Sequence, residues 1–238
     1  MKTVILCGGK GTRLGADELP KALIPVGDRP ILWHIMRIYS WHGIREFVLC
    51  LGYKGALIRE YFSGSASLPG CRIRCLDTGL DTNTGGRLYQ AKDLLKDDTF
   101  CVTYGDGLSD VNIKRLIRFH SKHRKAATLT SVKPRSPFGI MGIEPVSGVV
   151  THFEEKPVLD HWVNGGFFVF DRRFFSYLRK NDVLEHESFH RAVQARDLVA
   201  YKHEGFWECM DTYKDNLRLN SLWRRGQAPW AVWKGRAR

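Results

Sequence analysis

The sequence contains no apolar run approaching the ~20 residues that a membrane-spanning helix needs, so an integral helical membrane protein is not expected. The apolar opening, Val4 to Leu6, is too short for a secretory leader. Gly8 and Gly9 halt it at once, and a buried first strand is the better reading. Metal-binding cysteine pairs are also lacking. Cys71 and Cys75 are close together, but no second pair and no spaced histidines complete a zinc site. Cys7, Cys50 and Cys101 sit in apolar runs as small hydrophobes, so the six cysteines predict reduced thiols and a cytoplasmic protein. No Ser-His-Asp or Cys-His arrangement is evident. Acidic residues are scarce beside basic ones, 25 against 37, which leaves a formal net charge of +12 and favours anionic partners. The basic residues are scattered, and no recognisable nucleic-acid-binding pattern accompanies them. Specific nucleic-acid binding is therefore not expected.

What is present is an alternation of short Val, Ile and Phe-rich runs with amphipathic stretches, which argues an α/β protein. A strand over Val4–Leu6 leads into a glycine-rich loop. Ile31, Leu32, Ile35, Met36 and Tyr39 then recur at helical spacing, and Phe47–Leu51 is a second strand. Helices are predicted over 55–62, 85–95 and 111–123, and strands over 72–76 and 100–104. In the second half, closely spaced strands at 127–132, 140–143, 149–154 and 166–170 predict antiparallel additions to a parallel sheet. From Tyr213 onward the pattern is a helix followed by a Trp-containing end. His120 and His123 read as a solvated pair, and Trp33 and His34 as packing residues. A single domain over residues 1–238 is expected.

The strongest local signal is Leu6-Cys7-Gly8-Gly9-Lys10-Gly11-Thr12-Arg13-Leu14, directly after the first strand. Glycines let the backbone approach phosphate oxygens, and Thr12 and Arg13 add a hydroxyl and a forked cation suited to a polyphosphate. The loop is no Walker A motif, because Gly9-Lys10 is followed by Gly11 rather than Ser or Thr. It also fails the dinucleotide fingerprint, because Leu14 stands where a third small residue is required.

Gly8-Gly9-x-Gly11-Thr12-Arg13-Leu14 followed by Pro20-Lys21 resembles the opening motif of sugar-1-phosphate nucleotidyltransferases. Pro30 to Met36, Gly52 to Gly55, Thr84-Gly85-Gly86-Arg87 and Tyr104-Gly105-Asp106-Gly107 are similar to the glucose-1-phosphate cytidylyltransferase branch. So are Glu155-Lys156-Pro157, Asn164-Gly165-Gly166, Gly205-Phe206-Trp207, Met210-Asp211-Thr212 and Ala228-Pro229-Trp230. The likeness spans nearly the whole chain.

That resemblance implies a three-layer, Rossmann-like α/β fold with a mixed, mainly parallel central sheet and a smaller antiparallel sugar-side lobe. Residues 1–125 would form mainly the nucleotide-binding half and 126–212 the sugar-phosphate half, with 213–238 as a terminal helix and tail. It implies catalytic roles for Arg13, Lys21 and Lys156. Nucleotide contacts would come from Leu6, Gly8, Gly9, Gly11, Thr12, Arg13, Thr84, Gly85, Gly86, Arg87 and Gly105. Substrate contacts would come from Gly142, Glu155, Lys156, Asn164 and Gly165, and Asp106 and Asp211 would hold magnesium (Mg2+). The implied partners are CTP, or another nucleoside triphosphate, and a sugar 1-phosphate, in a homo-oligomer.

The implied reaction is an in-line displacement in which a sugar-phosphate oxygen attacks the α-phosphorus and pyrophosphate leaves. The nucleophile is already ionised near neutral pH. No general base is needed, which fits the lack of a nucleophile–histidine arrangement. A non-catalytic nucleotide sensor on the same fold is the alternative from another class. The turn from Lys133 to Gly139 departs from the family's form and lies where a sugar-side loop would.

Overall fold

The computed structural model describes residues 1–9, 19–64 and 68–235. The first half runs β1 (Lys2–Leu6), β2 (Pro25–Val26), β3 (Arg29–Pro30), α1 (Ile31–Trp41), β4 (Glu46–Leu51), α2 (Gly55–Ser63) and β5 (Arg72–Asp77). It continues with α3 (Thr84–Gln90), β6 (Thr99–Tyr104), β7 (Gly107–Ser109) and α4 (Ile113–His123). The second half comprises β8 (Ala127–Val132), β9 (Ile140–Ile143), β10 (Val150–Glu154), β11 (Val163–Asp171), α5 (Phe189–Gln194), β12 (Leu198–His203), β13 (Trp207–Cys209) and α6 (Tyr213–Arg224).

The central sheet has seven strands in the order β12-β8-β11-β6-β1-β4-β5. All its pairs are parallel except the two made by β11, which runs antiparallel to β6 and to β8. Strand alternation sorts the core into two faces. Ile5, Leu49, Cys101 and Val169 point to one side, where Ile35 and Met36 of α1 and Leu116 of α4 cover them. Val4, Val48, Val102, Phe168 and Phe170 point to the other, under Leu88 of α3 and Phe189 of α5. Helices on both faces of one sheet give the expected three layers.

Three expectations change. The helix anticipated over 85–95 ends at Gln90. The Ala91 amide is shared between the carbonyls of Arg87 and Leu88, and a 3-10 turn over Lys92–Leu94 follows. The tighter turn delivers Leu95 to the core while Lys92 and Asp93 stay in solvent. Secondly, β9 and β10 do not join the main sheet and pair only with each other. Bonds from Ser136 N to Pro157 O and from Leu159 N to Pro134 O, both 2.8 Å, close a neck that carries them out as a separate ribbon. Thirdly, His120 and His123 are no solvated pair. His120 is buried with Nδ1 2.9 Å from Thr128 Oγ1, and only His123 is exposed.

The C-terminal segment docks. Trp230 is fully buried and donates from Nε1 to His34 Nδ1 at 3.3 Å, while His34 Nε2 lies 2.8 Å from Val26 O. His34 must therefore be the neutral tautomer carrying its proton on Nε2. Burial lowers its pKa to about 4.

Candidate active site

The candidate site lies at the carboxyl ends of the adjacent parallel strands β1 and β6. From β1 the chain goes on to β4 and β5, then returns to place β6 on the other side. This is a topological switch point, where open α/β sheets leave a crevice. A cavity of about 520 Å³ opens there, lined among others by Gly8, Gly9, Thr84, Arg87 and Asp106.

Asp106 follows β6, and Asp211 stands more than a hundred residues later, just before α6. Two local devices bring them together. Strands β7 and β13 pair antiparallel with Gly107 opposite Cys209, and the Met210 amide donates to Asp106 O at 2.9 Å. Thr212 and Asp215 form a capping box at the start of α6, and Asp215 Oδ2 also accepts from the Asp211 amide at 3.0 Å. The two carboxylates converge on Lys21, whose Nζ is 2.6 Å from Asp106 Oδ2 and 2.6 Å from Asp211 Oδ1. Burial pulls the Lys21 ammonium down, but Asp106 and Asp211 outweigh it. Its pKa is raised, and it stays protonated.

Arg87 is nearly buried. Nη1 donates to Leu51 O, Thr78 Oγ1 and Gly79 O, and Nη2 donates to Gly8 O and Leu80 O. The guanidinium therefore ties the start of the phosphate loop to the end of β4 and to residues 78–80. A Cβ at Gly8 or Gly52 would overlap it, which accounts for both glycines.

A second network joins the two halves of the site. Glu185 lies in a π-helical turn, Leu184–Ser188. Its Oε2 accepts from Thr84 Oγ1 at 2.7 Å and its Oε1 accepts from the Tyr104 hydroxyl. Asn164 Nδ2 donates to the same hydroxyl at 3.3 Å. Burial, then Glu185, push the Tyr104 phenol well up, so it remains a donor. A bulge in β11 aims Asn164 this way. The register with β8 shifts between Asn164 and Phe168, and Gly166 takes φ 75°, with the Tyr104 ring where a Cβ would stand.

A wider cavity of about 940 Å³ adjoins the first through Cys209 and Asp211 and is lined by Arg135, Lys156, Trp207 and Glu208. Lys156 Nζ lies 2.6 Å from Glu155 Oε1. Burial raises the Glu208 pKa to about 7, against the pull of Arg218, whose Nε is 3.2 Å away.

The structure thus gathers Leu6, Gly8, Gly9, Lys21, Thr84, Arg87, Gly105, Asp106 and Asp211 around one cavity and Lys156 beside it. Gly11, Thr12 and Arg13 lie outside the described residues. Gly85 and Gly86 line neither cavity. They let α3 pack on the backbone of 180–182, where a Cβ would come within 2.8 Å of Asp182 O from Gly85. Gly142, in the ribbon, Glu155, Asn164 and Gly165 are likewise absent from both linings; Asn164 reaches the smaller cavity only through the Tyr104 hydroxyl, and Gly165 O accepts from Trp207 Nε1 at 2.8 Å. Sequence reasoning missed Tyr104 as a side chain, Trp207, Glu208 and Glu185. Glu185 had no local signal, because a π-helical turn has no sequence signature comparable to a cap or a glycine turn.

The donor chemistry fits a hard divalent cation. One carboxylate oxygen each from Asp106 and Asp211, with Cys209 Sγ, fall within 4.8 Å of one another. Burial and Asp106 push the Cys209 thiol well up, and a hard cation prefers the carboxylate oxygens of Asp106 and Asp211 to a sulfur ligand. That the carboxylates already clasp an ammonium shows that the point favours positive charge.

The family model described as nucleotidyl transferase matches residues 2–221. The chain is 43% identical to a protein of Bacillus subtilis described as a probable glucose-1-phosphate cytidylyltransferase, over 98% of this chain and all of that one. It is 40% identical to the glucose-1-phosphate cytidylyltransferase of Salmonella typhi, with the same coverage. Among solved structures, HddC from Yersinia pseudotuberculosis complexed with GMP-PN superposes with a TM-score of 0.73 at 18% identity. That match covers 93% of this chain and 99% of the other, and it speaks for the fold alone.

Proposed function

The chain belongs to the nucleotidyl transferase family, and on that premise we propose that it transfers a cytidylyl group from CTP to glucose 1-phosphate or a close analogue, giving a CDP-sugar and pyrophosphate. The observation that carries this reading is the clasp of Lys21 by Asp106 and Asp211 where the two cavities meet.

The nucleotide occupies the smaller cavity, with its phosphates against Gly8 and Gly9 and within reach of Lys21. By their resemblance in sequence, Gly11, Thr12 and Arg13 would supply further phosphate contacts, and Thr84 lines the nucleotide cavity. The sugar phosphate enters from the wider cavity past Lys156, with Asn164 and Glu155 on the sugar side. A phosphate oxygen of the sugar forms the new bond to the α-phosphorus, and the bond to the β-phosphate oxygen breaks, releasing pyrophosphate. Lys21, Arg13 and Lys156 orient the two anions and hold positive charge against the charge that develops between them. Asp106 and Asp211 hold magnesium, which supplies further positive charge to the phosphate oxygens when bound. The chain's contribution is positioning and electrostatics, with no proton to be abstracted.

The β9–β10 ribbon supports self-assembly. Phe138, Ile143, Val149 and Phe153 are each more than half exposed on it, and a two-stranded ribbon has little stability without cover. Six free thiols suit a reducing cytoplasm. Pyrophosphate release assayed with CTP, magnesium and a panel of sugar 1-phosphates tests the reading. Turnover with CTP and glucose 1-phosphate supports it, and turnover confined to another nucleoside triphosphate overturns the choice of base.

A further inference from the structure

We infer that Glu185 is a positioning residue for the reaction: a single carboxylate that fixes the nucleotide side, the metal-ligand turn and the sugar side of the site relative to one another. The inference rests on the proposed cytidylyl transfer and deepens it.

Glu185 lines neither cavity itself and acts through Thr84 and Tyr104, which line the smaller one. Its two oxygens serve two different walls of the site. Oε2 accepts from Thr84 Oγ1 at 2.7 Å, and that hydroxyl in turn accepts from the Leu184 amide at 2.9 Å. Thr84 opens α3 on the wall that faces the nucleotide. Oε1 accepts from the Tyr104 hydroxyl. Tyr104 ends β6, so its ring angle bears on the Gly105-Asp106 turn that follows. The same hydroxyl accepts from Asn164 Nδ2, on the bulge of β11. Thr84, Tyr104 and Asn164 lie on three elements with no mutual backbone pairing at these positions, and Glu185 is the group in contact with two of them and one bond from the third.

The local backbone supports this role. An α-helical path through Leu184–Ser188 would turn the Glu185 side chain differently. The wider π-helical turn, which carries Leu184 and Ser188 into the core on either side, leaves Glu185 aimed at the strand ends. The arrangement is over-determined rather than adventitious. Leu184 is completely buried, and Gly86 N bonds to Asp182 O at 3.1 Å just before the turn. Such a hub holds reacting groups near the productive geometry without contacting substrate, and small misplacements at that distance are costly in rate.

The test compares wild type, Glu185→Gln, Glu185→Asp, Tyr104→Phe and the Glu185→Gln/Tyr104→Phe pair in steady-state cytidylyl transfer, with the thermal midpoint of each protein measured alongside. Glu185→Gln keeps the size and loses the doubly accepting carboxylate. It is expected to lower kcat roughly tenfold to a hundredfold, the range for losing hydrogen bonds to a charged group. KM for CTP should move by less than about threefold, since the group acts on positioning. Glu185→Asp should recover part of kcat. The double variant should be no slower than the slower single one, because both cut one linkage. Full kcat in a folded Glu185→Gln protein, or losses in the double variant that multiply, would overturn the inference while leaving the proposed reaction intact. A wild type that turns over no CTP overturns the reading itself and this role with it.

Discussion

The Met210 amide donates to the carbonyl of Asp106 at 2.9 Å, and through that one backbone bond the last acidic residue of the site is registered on the first. The pairing of β7 with β13 and the capping box of α6 complete that placement. Asp211 is held beside Asp106, and Lys21 is clasped between them.

Removing Lys21 should expose this arrangement. Lys21→Ala leaves two carboxylates facing each other without a cation, and like charges so placed repel. We expect turnover to fall by more than about a hundredfold, consistent with the loss of a principal charge at the reaction centre. The protein should still fold, with a lowered thermal midpoint in metal-free buffer. Added magnesium should raise that midpoint more in Lys21→Ala than in wild type, because the metal no longer competes with an ammonium. Calorimetric melts with and without magnesium decide the point, and an equal shift in both proteins would count against the clasp as the metal site.

Asp106→Asn and Asp211→Asn keep the shape and remove a charge. Each should cut kcat by more than about tenfold at saturating CTP, as expected for a hard-cation ligand. Excess magnesium should restore part of the activity. Loss that is insensitive to magnesium would point away from metal binding.

The cradle around Arg87 makes a prediction about Gly8. A Cβ there overlaps the guanidinium, so Gly8→Ala must push Arg87 off Gly8 O, Leu51 O or Thr78 Oγ1. We expect CTP affinity to weaken by about tenfold, the worth of one charged hydrogen bond. Gly9→Ala, where a Cβ meets nothing within 4 Å, should bind CTP more nearly as wild type. Calorimetric titration with CTP separates the two. Equal loss in both would mean that the glycines serve the ligand directly rather than Arg87.

How far the site was legible in the sequence depends on the distance over which each part is built. The spacing of Ile31, Leu32, Ile35, Met36 and Tyr39 foretells α1, because a helix face is encoded within a few turns. The apolar run at 47–51 foretells β4 for the same reason. The ribbon β9–β10 looked like more of the main sheet. Alternation shows a strand but not its partner, and the partner was settled by the neck at Pro134 and Pro157. Asp106 and Asp211 could be paired only through family resemblance. What joins them are strands three residues long, too short to register as a pattern. Glu185 was invisible for a similar reason, since its role depends on a helical widening and on two partners some eighty and a hundred residues away.

His34 gives a pH signature. Folded, its pKa is lowered to about 4 by burial, whereas unfolded it would lie near 6.5. The unfolded chain therefore binds the extra proton first. Stability from this group is fully present above about pH 6.5 and is lost as pH falls through the window toward 4. Between pH 7 and pH 5 the loss should be about 2 kcal/mol. Denaturant titrations of wild type and His34→Gln at both pH values should show the difference shrinking in the variant. An unchanged pH dependence would contradict the neutral, Trp230-bonded state of this ring.

The most direct measurement of the central claim is the product of CTP and glucose 1-phosphate with magnesium, followed by pyrophosphate release and identification of the nucleotide sugar. The account predicts stoichiometric pyrophosphate and CDP-glucose or a CDP-linked analogue from the wild type, and near silence from Lys21→Ala. Folded, magnesium-supplied wild-type protein that releases no pyrophosphate from CTP with any sugar 1-phosphate would contradict it.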